Sequence, residues 1–281
     1  MNMKTYKQTF EEAESKNEGI FIPFLVVGDP DYETSIEIAK TMVDNGADAL
    51  EIGFPFSDPV ADGKTVQNAD IRSFKSGTTI EKCFKFLEEL REYTDKPFGL
   101  LLYYNIIYKY GIDAFYERLS KLGVNAVLVA DLPPEESEYV RKASKKYGVE
   151  EIFIAAPSTT TERLKLIADY ASGFIYTVSV MGITGARDKV EHNTTDMIKR
   201  MRKHTDMPLC VGFGISKPEH VKEVINSGAN GAIVGSAIIN IIADNLDNKE
   251  KMLNDIKEYV SSMKLATKKD DVKWLLKYLM N

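Results

Sequence analysis

The sequence is poor in the residues that build metal centres and disulfide frameworks, with two Cys, three His and one Trp in 281 residues. Cys83 and Cys210 are far apart, each inside a run that reads as a regular element, so free core thiols in a reducing compartment are the expectation. His192, His204 and His220 are separated by 12 and 16 residues, have no Cys nearby, and match no metal-ligand spacing. No metal site is expected. Long hydrophobic runs are missing too: no segment approaches the roughly 18 apolar residues of a membrane span. The charged stretch from Met1 to Gly19 has no apolar core of signal-peptide length, so a cytoplasmic protein is expected. Neither charge sign dominates. Lys and Arg total 36 against 42 Asp and Glu, a net charge of −6 without like-charge runs, which argues against nucleic acid and anionic membrane as partners. An anionic substrate has to be caught by local features.

What the sequence does have is repetition. Asn45-Gly46-Ala47-Asp48-Ala49-Leu50-Glu51-Ile52-Gly53 is matched by Leu122 to Ala130 and by Ser227 to Gly235, with a fourth copy from Tyr147 to Ala155. Each copy reads as a helix end, a glycine turn and a buried strand. Phe98 to Tyr103, Phe174 to Val178 and Pro208 to Val211 are further short apolar runs after helices, and Gly19 to Val27 is the first strand. Helical spacing is found from Glu33 to Asn45 and at 79–93, 112–122, 134–147, 160–170, 194–204, 217–227 and 250–263. Eight strands alternating with helices require parallel pairing, and about 35 residues per unit fits an α/β fold of the (β/α)8 TIM-barrel type. A doubly wound open sheet is the alternative; no Gly-x-Gly-x-x-Gly follows the first strand to support it. No linker divides the chain, so 1–281 reads as a single TIM-barrel domain. Tyr6 to Ser15 adds an N-terminal helix able to plug the barrel bottom, and Trp274, Leu275, Leu276, Tyr278 and Leu279 give a C-terminal helical extension over 267–281.

In such a barrel the loops after the strands' C-terminal ends form the working face. The second strand carries Glu51, a charge where packing favours Val or Ile, and breaks into Gly53-Phe54-Pro55-Phe56-Ser57-Asp58-Pro59-Val60-Ala61-Asp62-Gly63. Glycine and two prolines leave that loop few accessible shapes. The third strand ends in Tyr103-Tyr104-Asn105, the fourth in Asp131, and the sixth runs into Met181-Gly182-Ile183-Thr184-Gly185-Ala186-Arg187. Gly212-Phe213-Gly214-Ile215-Ser216 and Gly235-Ser236 open the segments after the seventh and eighth strands. Free backbone N–H groups at two adjacent helix starts suit a phosphate without any lysine. A Gly-x-Gly pair alone is an ordinary turn, and a strand-end aspartate alone usually caps a helix; joint placement on one rim points to an active site for a phosphorylated small molecule.

These blocks, from Pro23-Phe24 and Gly28-Asp29-Pro30 through Leu50 to Gly63 and on to Gly235-Ser236-Ala237-Ile238, resemble the tryptophan synthase alpha chain family in content and order, over about residues 5–266. The resemblance implies a lyase, the alpha subunit that cleaves indole-3-glycerol phosphate by a retro-aldol step to indole and glyceraldehyde 3-phosphate. Indole then passes to a beta subunit, in an alpha2beta2 assembly, that holds pyridoxal phosphate; no cofactor is implied in this chain. It also implies roles. Glu51 is the acid/base at the indole carbon and the hydroxyl, and Asp62 accepts from the ring N–H. Gly212, Gly214, Gly235 and Ser236 bind the phosphate, and Phe24, Leu102, Tyr103, Leu128, Ala130, Ile154, Tyr176 and Phe213 surround the indole. Gly182 and Gly185 flank Thr184 in a closing loop that orients Asp62, and Pro55, Asp58 and Asn105 face the beta partner. A Glu at an unperturbed value of about 4.3 needs an apolar surrounding to hold its proton near neutrality, which a barrel-lining position supplies.

Two departures stand out. Lys64 replaces the proline that usually follows Asp-Gly in the family, which implies a freer loop beyond Asp62, and Val180-Met181 replaces a pair that often contains arginine. A stand-alone lyase releasing indole and a non-catalytic barrel binding a phosphorylated ligand are the alternatives; the pairing of Glu51 with Asp62 argues against the second.

Overall fold

The structure, a computed structural model, describes residues 3–178 and 187–270, without the side chains of 187–193. The strands are β1 (Ile20–Val26), β2 (Leu50–Gly53), β3 (Phe98–Leu102), β4 (Ala126–Val129), β5 (Glu150–Ala155), β6 (Ile175–Val178), β7 (Leu209–Gly212) and β8 (Gly231–Val234). Each pairs in parallel with its neighbours in sequence, and β1 pairs with β8 to close the barrel. The doubly wound alternative is excluded. The helices are α1 (Tyr6–Ser15), α2 (Tyr32–Asp44), α3 (Lys64–Lys75), α4 (Ile80–Tyr93), α5 (Tyr104–Tyr110), α6 (Ile112–Lys121), α7 (Glu138–Tyr147), α8 (Thr161–Tyr170), α9 (Arg187–Arg202), α10 (Pro218–Asn226), α11 (Ser236–Asp244) and α12 (Lys249–Leu265). No helix among the described residues is long and apolar enough to cross a membrane.

Alternation along the strands divides the core in two. Leu25, Ile52, Leu100, Leu102, Val127, Phe153, Val211 and Val234 point outward into the layer under the helices. Ile22, Ala49, Leu128, Ile152, Tyr176, Cys210 and Ile233 fill the lumen, and Phe24 forms a smaller cluster above them with Val26, Ala69 and Ile239. The register sets Glu51 beside Phe24 on one side and Gly99 on the other. Helix α1 closes the lumen from below: Tyr6 and Phe10 meet Phe174 edge-on, with ring centroids 5.2 and 6.3 Å apart.

Local chemistry explains most boundaries. Thr5 and Gln8 form a capping box at α1, while the side chains of Asp31, Thr79 and Thr160 cap α2, α4 and α8. The expected helix over 134–147 splits into a short 3-10 turn, Pro134–Glu136, and α7; the one expected over 194–204 begins earlier, at Arg187. Helices α3 and α5 have no counterpart in the sequence pattern. Of α3 only Ala69, Asp70 and Ser73 are buried, too few apolar positions for a periodic signal, and α5 follows β3 so closely that it reads as a strand end. Lys64, where a freer loop is expected, is the first residue of α3. Of the expected C-terminal extension, the described part, to Asp270, pairs with the chain's entry: Lys268 bridges Glu18, and Gly19 N–H donates to Thr267 O at 2.8 Å. Trp274 and the residues around it lie outside the described residues.

Candidate active site

At the C-terminal ends of the strands a cavity of about 350 Å³ opens, with Glu51 and Asp62 on its wall together with Phe24, Leu101, Tyr176, Phe213 and the segments Gly214–Ser216 and Gly235–Ala237. Glu51 rises from β2 into the lumen and is 6% exposed. Burial, and then the charge of Asp62, push its carboxyl up to about 8. It therefore holds a proton at neutral pH.

Asp62 is half-buried in the loop after β2, here called loop two. The Tyr103 hydroxyl donates to Asp62 Oδ2 at 2.8 Å and accepts the Ala61 N–H at 3.0 Å. Gln67, from the first turn of α3, donates to Asp62 O at 2.8 Å. Burial raises the Asp62 carboxyl and the Tyr103 hydrogen bond opposes the rise. One cavity thus holds two carboxyl groups that burial raises, one strand-borne and one loop-borne, of which only Asp62 has a hydrogen bond from Tyr103 to oppose the rise.

No Lys, Arg or His is among the described residues lining the cavity. An anion there meets backbone and hydroxyl groups. The loop after β7 turns through Phe213 at φ 61° and Gly214 at φ 72°; the left-handed conformation is costly for a residue with a β-carbon, and such strain clusters at ligand sites. Gly235 precedes α11, so Ser236 opens that helix with N–H groups that lack intrahelical partners. Gly212 has a steric reason to be glycine: a β-carbon there would sit 2.1 Å from the Tyr176 hydroxyl oxygen.

Phe24, Tyr176, Phe213, Gly214, Gly235 and Ser236 join Glu51 and Asp62 on the cavity wall. Leu102 does not: it faces outward, and strand alternation gives the lumen position to Leu101. Leu128 belongs to the lumen cluster, with Ala130 and Ile154 packed against it, and Tyr103 reaches the site through its bond to Asp62. Gly182, Thr184 and Gly185 lie outside the described residues, as do Val180 and Met181. Pro55 and Asn105 line a second cavity, about 340 Å³, with Phe56, Ile80, Ile106 and Tyr110, while the exposed Asp58 accepts from the Ser57 hydroxyl at 2.6 Å. The strand-end Asp131 is a cap, accepting the Tyr104 N–H at 2.7 Å. Val66 and Asn240 also reach the wall; they sit on helices α3 and α11, which strand-end reading does not survey.

The profile of the tryptophan synthase alpha chain family matches residues 10–268. The chain belongs to the tryptophan synthase alpha chain family. The alpha chain of Methanothermobacter thermautotrophicus is 52% identical over 262 residues, covering 93% of this chain and 96% of that one. That of Photobacterium profundum is 45% identical over 267 residues, covering 95% and 99%. Among solved structures, the tryptophan synthase subunit alpha of Legionella pneumophila superposes with a TM-score of 0.86 at 30% identity, covering 94% of this chain and 98% of that one. The tryptophan synthase complex of Pyrococcus furiosus gives 0.80 at 35% identity, covering 88% and 98%. The alpha-chain relatives thus span the β1–β8 barrel and both cavities.

Proposed function

We propose that this chain is the alpha subunit of a tryptophan synthase, a lyase that cleaves indole-3-glycerol phosphate to indole and glyceraldehyde 3-phosphate. The observation that carries the reading is the meeting of Glu51 and Asp62, the first buried and the second hydrogen-bonded by Tyr103, on a cavity that also holds the two glycine-led helix starts. The side-chain phosphate sits against Gly214, Gly235 and Ser236, with Gly212 leaving room for the Tyr176 hydroxyl beside them. The indole lies among Phe24, Leu101, Tyr176 and Phe213. Glu51 gives its proton to the indole carbon that bears the glycerol chain, and the ring nitrogen becomes positive. Asp62, ionised, accepts from the ring N–H and stabilises that charge. The carboxylate now on Glu51 takes the proton of the adjacent side-chain hydroxyl, whose oxygen becomes the aldehyde as the C–C bond breaks and its electron pair restores the indole. The proton spent is recovered, so nothing further is consumed.

Indole passes to a beta subunit that holds pyridoxal phosphate, in an alpha2beta2 assembly in the cytoplasm; this chain needs no cofactor and no metal for its own step. Pro55 and Asn105, which line the second cavity, and Asp58 face that partner. The bonds from Tyr103 and Gln67 to Asp62 are made within the chain, which supports some indole release by the alpha chain alone. The test is indole release with and without a beta subunit for the wild type, Glu51→Gln and Asp62→Asn. Each carboxamide should lower kcat by roughly 100-fold or more, and the beta subunit should raise the wild-type rate. Wild-type turnover in both variants sinks the mechanism; binding of substrate without any turnover makes the chain a non-catalytic barrel.

A further inference from the structure

A third carboxylate stands behind the pair. Asp70, on α3, is 4% exposed and lines neither cavity. The backbone N–H of Phe56, at the start of loop two, faces its carboxyl group. The Phe56 ring stacks on Tyr103, centroids 4.8 Å apart and planes 18° apart, and Tyr103 donates to Asp62. Helix α3 is itself pinned beneath the end of β1: Arg72 donates to both carboxylate oxygens of Asp29 at 2.6 and 2.8 Å, the Ser73 hydroxyl to Val27 O at 2.6 Å, and the Ser76 hydroxyl to Gly28 O at 3.0 Å. Asp70 thus sits on a fixed post against the root of the loop whose far end carries Asp62.

Resting on the reading of Asp62 above, we propose that Asp70 is a positioning residue, which holds the start of loop two from α3 and, through Phe56 and Tyr103, fixes Asp62 in the cavity. The charged and titratable groups around it are Asp62 from loop two, Asp29 from the β1 end and Tyr103 from the end of β3, and the Arg72 guanidinium is engaged by Asp29. Burial, then the charge of Asp62, push the Asp70 carboxyl up to about 8, so it is neutral at pH 7. An amide is its neutral isostere and offers a carbonyl oxygen to the same N–H; a methyl group offers nothing.

The experiment pairs D70N with D70A and reads two quantities: steady-state cleavage of indole-3-glycerol phosphate at pH 7, and the titration of the Asp62 carboxyl carbon by 13C NMR in the unliganded chain. D70A should lower kcat about tenfold or more, the scale of a misplaced catalytic group, and raise the Asp62 midpoint, because a loosened Tyr103 hydrogen bond no longer holds it down. D70N should stay within about twofold of the wild type in kcat and keep the wild-type midpoint. Phe56→Leu, which removes the ring between the two, should reproduce the D70A effects and serves if D70A does not fold. D70A at the wild-type rate and midpoint overturns the proposal, as does D70N impaired as much as D70A, which makes charge and not position the agent. A wild type that does not cleave the substrate refutes the proposed function, while the Asp62 titration still decides the role of Asp70.

Discussion

Glu51 answers to two demands at once. Its place in the lumen, beside Phe24 and above Cys210 and Tyr176, raises its carboxyl to about 8, so that it can give a proton at neutral pH. The same burial costs stability when the proton leaves. Its folded value lies above the ordinary 4.5, so its contribution is complete below that value and is lost as pH rises through about 8. Glu51→Gln, which cannot ionise, should therefore be more stable than the wild type at pH 9 by roughly 4 kcal/mol relative to their difference at pH 5. Urea unfolding of both proteins at the two pH values measures this; a difference that does not change with pH means that Glu51 does not titrate in that window. Single residues are unevenly legible. Glu51 stands out because charge interrupts an apolar strand, whereas Leu102 reads as part of the indole wall and alternation gives that lumen position to Leu101. Asp70 gives no signal, since one more Asp in a polar helix differs from its neighbours only after folding has buried it.

Helix α3 is the element on which the site depends and the one that periodicity does not reveal. A helix held by polar bonds has no hydrophobic stripe for a sequence reading to detect. Its strongest tie is Arg72 to Asp29, whose side chain is 0% exposed. Removing the cation leaves a buried carboxylate, a loss of about 3–5 kcal/mol where it cannot neutralise. Asp29 has a partial escape: burial already holds its carboxyl above the usual range against the pull of Arg72, so it takes up a proton as pH falls. Arg72→Met should therefore cost about 3 kcal/mol at pH 8 and clearly less at pH 5, by urea unfolding. A loss of the same size at both pH values contradicts a buried, titrating Asp29. Helices with side-chain caps and apolar faces, such as α2 and α4, are by contrast legible to within a residue or two, because local chemistry and burial agree there.

At the scale of the whole molecule the barrel is the most legible feature, since four copies of helix end, glycine and buried strand report one architecture with more certainty than any of them alone. The same architecture separates tasks: side chains at the strands' C-terminal ends do chemistry, and those at the N-terminal ends hold the fold. The segment 267–270 belongs to the second group. Thr267 O accepts Gly19 N–H at 2.8 Å, Lys269 N–H donates to Asn17 O at 2.9 Å, and Asp270 pairs with Lys222 at 2.5 Å and accepts from Asn226 at 2.7 Å, all at the entry to β1 or on the adjoining α10. A chain ending at Ala266 should melt about 5 °C below one ending at Asp270, since two lost backbone hydrogen bonds and their flanking contacts sum to about 2 kcal/mol. Both chains should release indole from indole-3-glycerol phosphate at the same rate at 25 °C, because none of these groups touches the cavity that holds Glu51 and Asp62. If the shorter chain melts with the longer one, the segment is not a tie; if it is equally stable but slower, the bottom of this barrel communicates with the rim that holds Glu51 and Asp62.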